Sequence, residues 1–230
     1  MPLPMTHLSV ANRLIEIGLQ IKDESQFYLG AISPDAIHMR PNADRAAKNV
    51  THLIPEGKRV IEWYDTDEAE CIKRIIEFVA SNKSTTNPDF LMGYAVHILT
   101  DMYWTTWVYQ KFVVEYQKSD AVYQKSAAPP QDQQKAYYED TDIVDYIQYT
   151  IAPWREDVWQ LLQNTEYSNF LNLLSADEIK KWNERTLNWY TAPENQYKFE
   201  GTPKYITQQG IEDFIPKCAE AIASKINRLV

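Results

Sequence analysis

Residues 88–116, PDFLMGYAVHILTDMYWTTWVYQKFVVEY, decide the fold class of this chain. Asn87 is a favoured helix N-cap, and Pro88 suits the first helical position after it. The stretch then contains one glycine and no further proline, so it predicts one helix about 40 Å long. Nowhere in the chain does an alternation of apolar and polar residues with β-branched side chains persist. We therefore predict an all-α fold.

Helix signals also precede this stretch. Residues 8–22 carry an apolar stripe at helical spacing, formed by Leu8, Ala11, Ile15 and Leu19. Asp65 and Thr66 resemble an N-terminal cap for the segment that follows, with Glu68 three residues after Asp65. Both segments are therefore predicted to be helical.

Two more helices are expected near the C-terminus. Ser175 and Glu178 fit a capping box for a helix that ends near Tyr190. The last helix is expected over residues 207–229, where Pro216 should kink or split it.

The chain has 230 residues, which is long enough for one large domain with a substantial core. Two polar, proline-containing segments, residues 126–134 and 192–203, are predicted breaks between helices. The first could separate two domains, but the residues after it supply only a few helices, so a surface loop is preferred. We therefore expect a single helical domain over residues 1–230, in which residues 108–230 carry no assigned motif.

Charge and composition exclude several classes of protein. Lys and Arg number 23 against 32 Asp and Glu, so stable nucleic-acid binding through a basic patch is not expected. No window approaches roughly 18 apolar residues, and the first residues lack the pattern of a secretory signal. Cys71 and Cys218 are the only cysteines, and we expect reduced core residues. These features predict a cytoplasmic protein without a transmembrane segment.

All the histidines lie within the first 97 residues: His7, His38, His52 and His97. Scattered structural histidines would not usually segregate in this way. The clearest local pattern is GYAVHILTD at residues 93–101, because His97 and Asp101 stand four apart and share one helix face. Gly93 lies one turn earlier and leaves room for a close approach. The imidazole and the carboxylate can ligate one divalent ion, or they can form a helix-stabilising pair.

A second pattern, FYLGAISPDAIH, spans residues 27–38. It places Asp35 in a largely apolar setting, either as a ligand or as a first-turn residue of a helix capped by Ser33. His52 follows a short helical segment and, taken singly, suits an ordinary core or surface histidine. His7 opens the first helix and could equally be a capping or solvent-facing residue. Together, carboxylates and imidazoles from separate segments of a helical protein suit zinc-like ligation.

Four strings taken together resemble the zinc-dependent phospholipase C family: MTHLSVA, FYLGAISPDAIH, the later THL and GYAVHILTDMYW. Relatives of that family include the single-strand-specific zinc nucleases, which share an all-helical fold. The resemblance covers residues 5–107 and implies a multi-helix domain of the phospholipase C type.

The resemblance also implies a set of metal ligands. The family's first zinc is matched by Asp35, His52, His97 and Asp101. Asp101 also matches a carboxylate shared with another zinc, whose early histidine corresponds to His7. The family's second zinc has no full counterpart here, because Trp107 stands at its first histidine position and no histidine follows His97. His38 lies outside the family pattern and is a candidate replacement ligand or acid/base residue. We expect one or two divalent ions per chain, with zinc as the cofactor.

The resemblance implies a metal-dependent hydrolase of phosphoesters, most readily of a phosphodiester, as in a phospholipase C. The substrate would be a small phosphoester or a phospholipid-like molecule. Asp35 is the candidate catalytic residue, which would orient a water or accept its proton. Arg40 or Lys48 would meet the developing charge. Tyr28 and Trp104 would join Arg40 as substrate-binding residues, although a place in the core is the favoured interpretation of each aromatic residue.

Two alternatives stay open. A metal-stabilised helical binding or regulatory protein without catalytic activity is favoured by the missing second-zinc ligands. A zinc nuclease is the other alternative, and the excess of acidic over basic residues argues mildly against it. An acidic cluster at residues 139–145, EDTDIVD, could add a carboxylate ligand, although a solvated helix face is its favoured interpretation.

Overall fold

Helices form the regular structure of the chain. The computed structural model describes residues 1–60, 63–64, 68–84, 86–123 and 130–226, and within these ranges no β-strand occurs. The predicted all-α class is therefore confirmed. The α-helices are α1 (Pro4–Glu16), α2 (Glu24–Ile32), α3 (Arg45–Thr51), α4 (Glu68–Asn82), α5 (Pro88–Trp104), α6 (Gln110–Tyr123), α7 (Pro130–Ile151), α8 (Arg155–Gln163), α9 (Ala176–Trp189) and α10 (Gln208–Ile226).

The long helix expected over residues 88–116 is present, but its hydrogen bonding changes part-way. The side chain of Asn87 accepts hydrogen bonds from the backbone N–H groups of Asp89 and Phe90, so the predicted cap is confirmed. The α-helical pattern then ends at Trp104, and Thr105–Tyr109 are wound as a π-helix before α6 begins. Such single-turn π segments insert a residue into a helix and leave its overall path continuous.

The first helix begins and ends earlier than the periodicity predicted. α1 starts at Pro4, which occupies the first helical turn, and it ends at Glu16. Gly18 has a φ of 106°, in the left-handed region, where the chain turns away from the helix. The capping signal at residues 65–66 lies outside the described residues.

Two proline-containing regions differ from the prediction. α7 begins at Pro130, so residues 130–134 of the predicted break are helical, because proline is tolerated in a first turn. The earlier residues 124–129 lie outside the described part of the chain. α10 continues through Pro216 from Gln208 to Ile226 without a split. The apolar residues Phe214 and Cys218 flank the proline and are buried, and this packing holds the helix together.

The capping box of α9 is present as predicted, with reciprocal bonds between Ser175 and Glu178.

α2 and α5 cross at a pair of glycines. A Cβ atom on Gly93 would overlap the backbone oxygen of Phe27, and one on Gly30 would overlap the backbone oxygen of Phe90. The close approach expected at Gly93 is therefore made by the backbone of α2. This crossing sets how near the Asp35 segment, which follows α2, comes to His97 on α5.

We expect Gly93→Ala to lower the free energy of unfolding by about 3 kcal/mol, because the two helices must separate to admit a methyl group. Urea unfolding followed by circular dichroism measures this change. Gly210→Ala is the matched control, since the nearest atom to its added Cβ would be Thr207 Oγ1 at 3.4 Å. Equal stability losses in the two variants would contradict the tight crossing.

The cysteines and the character of the helices agree with what composition predicted. Neither Cys71 nor Cys218 forms a disulfide, and both are buried. Among the helices that the structure describes, none has the length and apolar character needed to cross a bilayer.

Candidate metal centre

Five side chains from separate segments of the chain converge at one point in the core. His7 lies on α1, Asp35 on the 3-10 helix Ser33–Met39, and His52 at the C-cap of α3. His97 and Asp101 both lie on α5. Four of the five are buried, and the fifth is reached by solvent at one edge. The five side chains are His7, Asp35, His52, His97 and Asp101.

The distances between their polar atoms match the ligands of a metal ion. His52 Nε2 lies 3.4 Å from Asp35 Oδ1 and 3.5 Å from Asp101 Oδ2, and His97 Nε2 lies 3.5 Å from the same Asp101 oxygen. These separations exceed the roughly 2.7–3.2 Å of a good N–H···O hydrogen bond. Two ligands of one tetrahedral zinc, each about 2.0–2.2 Å from the ion, lie about 3.3–3.6 Å apart. The cluster therefore has the dimensions of a cation site.

The converging atoms also lack hydrogen-bond partners within the described structure. They include Nε2 of His7, His52 and His97 and both carboxylate oxygens of Asp101. Buried polar atoms are almost always paired, and an unpaired buried carboxylate costs several kcal/mol. One or two bound cations would satisfy these atoms, so the residues present fit a metal site.

Backbone carbonyls fix the orientation of two imidazoles. His97 Nδ1 lies 2.8 Å from the carbonyl oxygen of Ala31, and His52 Nδ1 lies 3.0 Å from that of Lys48. Because a carbonyl oxygen only accepts, each Nδ1 must carry the hydrogen. The lone pair of each neutral ring is then on Nε2, which faces the cluster, as in metal-ligating histidines generally.

His7 occupies a different part of the cluster. Its Nε2 lies 3.5 Å from Asp101 Oδ1, whereas the short contacts of His52 and His97 are with Oδ2. Its ring stacks on that of His97 with a centroid distance of 3.8 Å and an interplanar angle of 4°. Asp101 therefore presents one oxygen to the His52–His97 pair and the other to His7.

The environment shifts the pKa values of the converging groups. Burial lowers the pKa of His7 well below its usual value, and the neighbouring His97 adds to this effect. Burial likewise lowers the pKa of His52. Burial alone would raise the pKa of Asp101 and lower that of His97, but the attraction between the two groups, with help from their neighbours, lowers the pKa of Asp101 and raises that of His97. Without a cation these two groups therefore form a charged pair, and a cation bound at Nε2 of His97 would release its proton.

Comparisons with known proteins add no relative to this geometry. No protein-family model matches the chain, and neither a curated protein nor a solved structure matches it.

Solvent reaches the cluster at the side of Asp35. Its side chain is 13% exposed, beside Lys48 at 21% and His38 at 46%. Lys48 Nζ lies 2.8 Å from Asp35 Oδ1 and 3.2 Å from His38 Nε2, and the latter is 3.6 Å from the same carboxylate oxygen. Burial alone would raise the pKa of Asp35, but the Lys48 ammonium together with His38 and His52 holds that pKa well below the usual range. We call Asp35, His38 and Lys48 the mouth of the site.

The three predicted substrate-binding residues have other partners. The Tyr28 hydroxyl donates to Asn12 at 3.1 Å, and the Trp104 indole N–H donates to the Tyr137 hydroxyl at 2.8 Å, both in the core. Neither aromatic residue lines an open cleft. The Arg40 guanidinium forms an ion pair with Glu178 at 2.6 Å, so it joins the Asp35 segment to α9. His38 lies at the mouth rather than among the buried ligand atoms.

Trp107 stands where the family resemblance placed a further histidine, and it belongs to an aromatic cluster. Its ring stacks on Tyr103 at 4.4 Å, and the ammonium of Lys217 lies 4.1 Å from its centroid. Phe214 of α10 packs against its other edge. Apolar and aromatic contacts occupy this position, which agrees with the absence of a histidine ligand there.

The favoured interpretation of the acidic cluster at residues 139–145 is a solvated helix face. For two of its carboxylates that interpretation is wrong. Asp140 is buried and accepts hydrogen bonds from three consecutive backbone N–H groups, at residues 204–206. Asp145 is buried and accepts from the backbone N–H groups of Met5 and Thr6. Asp145 thus caps α1, which has no side-chain cap of its own, and fixes the turn that carries His7.

We expect Asp145→Ala to lower the free energy of unfolding by about 3 kcal/mol, because the N–H groups of Met5 and Thr6 and the hydroxyls of Thr6 and Tyr190 all lose a buried carboxylate acceptor. Denaturant titration of the metal-free protein measures this loss. Asp157→Ala, in the exposed first turn of α8, is the control and should change stability by less than about 0.5 kcal/mol. A loss no larger than that of the control would show that Asp145 does not cap α1.

Proposed function

We propose that this protein is a metal-dependent hydrolase of phosphoesters, with a phosphodiester as the first candidate substrate. The observation that carries the proposal is the set of unpartnered, buried imidazole and carboxylate atoms that converge at metal-ligand distances beside a carboxylate open to solvent. Zinc is the candidate ion, because nitrogen and carboxylate oxygen donors in this mixture suit it.

The donor set divides into two positions that share Asp101. His52, His97, Asp35 and one oxygen of Asp101 would hold the first ion. His7 and the other oxygen of Asp101 would hold a second, with fewer protein donors. A bound divalent ion supplies charge that polarises a phosphoryl oxygen and lowers the pKa of water. The number of protein donors supports one or two ions rather than three.

The residues of the mouth would take part in the reaction. Asp35 stays ionised beside Lys48, so its carboxylate can orient a water for attack on phosphorus or accept its proton. Lys48 would bring positive charge to the phosphoryl oxygens. Its own charge is maintained because Asp35 outweighs the effect of burial and raises the pKa of the ammonium. His38, the most exposed of the three, can pass a proton between Asp35 and bulk water.

Hydrolysis of bis(4-nitrophenyl) phosphate tests this proposal. We expect the zinc-loaded protein to release nitrophenolate, a chelator to stop the reaction, and added zinc to restore it. His97→Ala should remain inactive under all three conditions. Hydrolysis that survives both the chelator and His97→Ala would contradict the proposal.

A metal-stabilised binding protein is the second candidate function. It is favoured by the depth of the cluster, since all its ligand side chains except Asp35 are almost fully enclosed. Zinc binding without hydrolysis of mono- or diester substrates would support this candidate over the hydrolase.

A further inference from the structure

A cavity of about 620 Å³ opens between α3, α7 and the π-helical turn Thr105–Tyr109. Small-molecule sites in proteins typically have volumes of roughly 300–1,000 Å³. Single π-helical turns within longer helices are often found at functional sites. The cavity is therefore a candidate binding site that the metal ligands do not account for.

Two helices connect this cavity to the metal centre. Arg45 lines the cavity and lies three residues before Lys48 of the mouth on α3, so the two side chains share a helix face. Thr105 also lines the cavity, and its backbone N–H donates to the carbonyl oxygen of Asp101, one turn earlier. Neighbours at this spacing have Cβ atoms about 5–6 Å apart. A phosphoester whose phosphoryl group lies at the mouth can therefore place its organic group in the cavity.

Three aromatic rings form the apolar side of the cavity. The Tyr137 ring lies edge-on to those of Tyr109 and Phe112, with centroids 5.3 Å apart in each pair. Phe112 and Tyr137 are buried, and the indole N–H of Trp104 donates to the Tyr137 hydroxyl at 2.8 Å. Rings that are already fixed lose little conformational freedom when a ligand binds. This side of the cavity suits an apolar or aromatic group.

The charge of the cavity is opposite in sign to that of the whole protein. The chain has 32 acidic and 23 basic residues, yet the described residues that line the cavity include Arg45 and Arg59 and no carboxylate. Aromatic rings alone would accept a quaternary ammonium group, but two guanidinium groups would repel it. The same guanidinium groups would attract an anionic group.

We infer that this cavity binds the organic group of a phosphoester that carries a second negative charge. The apolar part of that group would contact the aromatic rings, and its carboxylate or phosphate would accept hydrogen bonds from Arg45 and Arg59. The two arginines would thus select the substrate by charge, while the metal centre acts on the phosphoryl group. The inference rests on the proposed function only in making this ligand a substrate.

Isothermal titration of the metal-free full chain with three aryl phosphates tests the cavity. The probes are 4-carboxyphenyl phosphate, phenyl phosphate and 4-(trimethylammonio)phenyl phosphate, which differ in the charge carried by the ring substituent. We expect affinity to fall in that order, with at least a tenfold difference between the first and the last.

Substitutions separate the contribution of charge from that of the rings. Arg45→Gln should weaken binding of 4-carboxyphenyl phosphate about tenfold and leave that of phenyl phosphate within about twofold, whereas loss of the fold would weaken both. Tyr109→Leu should weaken all three aryl phosphates about fivefold and leave methyl phosphate unaffected. Arg74→Gln is the matched control, because Arg74 is an exposed arginine of α4, and it should change none of these affinities.

Equal affinity for the anionic and the cationic probe would overturn the inference, as would unchanged binding of 4-carboxyphenyl phosphate by Arg45→Gln. A charge preference that depends on Arg45, in a protein whose zinc-loaded form hydrolyses nothing, would support the cavity while the proposed function fails. Zinc-dependent hydrolysis without any charge preference would leave the proposed function standing and remove the inference.

Discussion

Asp101→Asn will remove the zinc-dependent part of the protein's stability. Asp101 faces His7 through one oxygen and His52 and His97 through the other, so its charge would serve both proposed metal positions. An ion that binds only the folded state at 1,000 times its Kd should stabilise the wild-type protein by about 4 kcal/mol. The variant should gain less than about 1 kcal/mol at the same free zinc. Thermal or urea unfolding with and without zinc measures both values.

The metal-free proteins give the comparison that isolates this effect. Without zinc, Asp101→Asn should be less stable than the wild type at neutral pH, because the lowered pKa of Asp101 means that its charge stabilises the folded state, and this loss does not depend on zinc. Asp157→Asn, in the exposed first turn of α8, is the control and should keep the full response to zinc. A wild-type response to zinc in Asp101→Asn would place the metal elsewhere.

Asp35→Asn should lower the rate of phosphodiester hydrolysis by about a thousandfold. The amide keeps the shape of the side chain, but it loses the charge that faces the metal position and the capacity to accept a proton. The rate is measured with bis(4-nitrophenyl) phosphate at saturating zinc.

Asp44→Asn is the matched control for Asp35→Asn. Asp44 caps α3 by accepting from the backbone N–H of Ala47, and an asparagine oxygen can accept the same bond. This variant should therefore keep the wild-type rate. A near wild-type rate in Asp35→Asn itself would rule out both of its proposed roles.

Local patterns predicted the helices and much of the ligand geometry. The caps at Asn87 and Ser175 depend on residues two to three positions away, so the sequence contains all that is needed to recognise them. The approach of His97 to Asp101 follows from their four-residue spacing on α5. The prediction that three further side chains join this pair came from the resemblance to a family, because no local pattern brings their segments together. These side chains are His7, Asp35 and His52.

Features made by tertiary contacts could not be predicted in this way. The carbonyl of Ala31 orients His97 only because α2 and α5 cross at two glycines. Arg40 was expected to bind substrate, but Glu178, 138 residues away in the chain, forms an ion pair with it. Asp145 accepts a hydrogen bond from the backbone N–H of Thr6, which lies 139 residues earlier in the chain. Spacing along the sequence carries no signal for such pairs.

Equilibrium zinc titration of the chelator-treated full chain, in competition with a chromophoric chelator, tests the metal centre most directly. We expect one or two tightly bound zinc ions per wild-type chain, because the converging donors would suffice for one full position and for a second that shares Asp101. The same titration of Asp101→Asn should show no tight binding. A wild-type chain that binds no zinc tightly, or that binds three ions, would contradict the site described here.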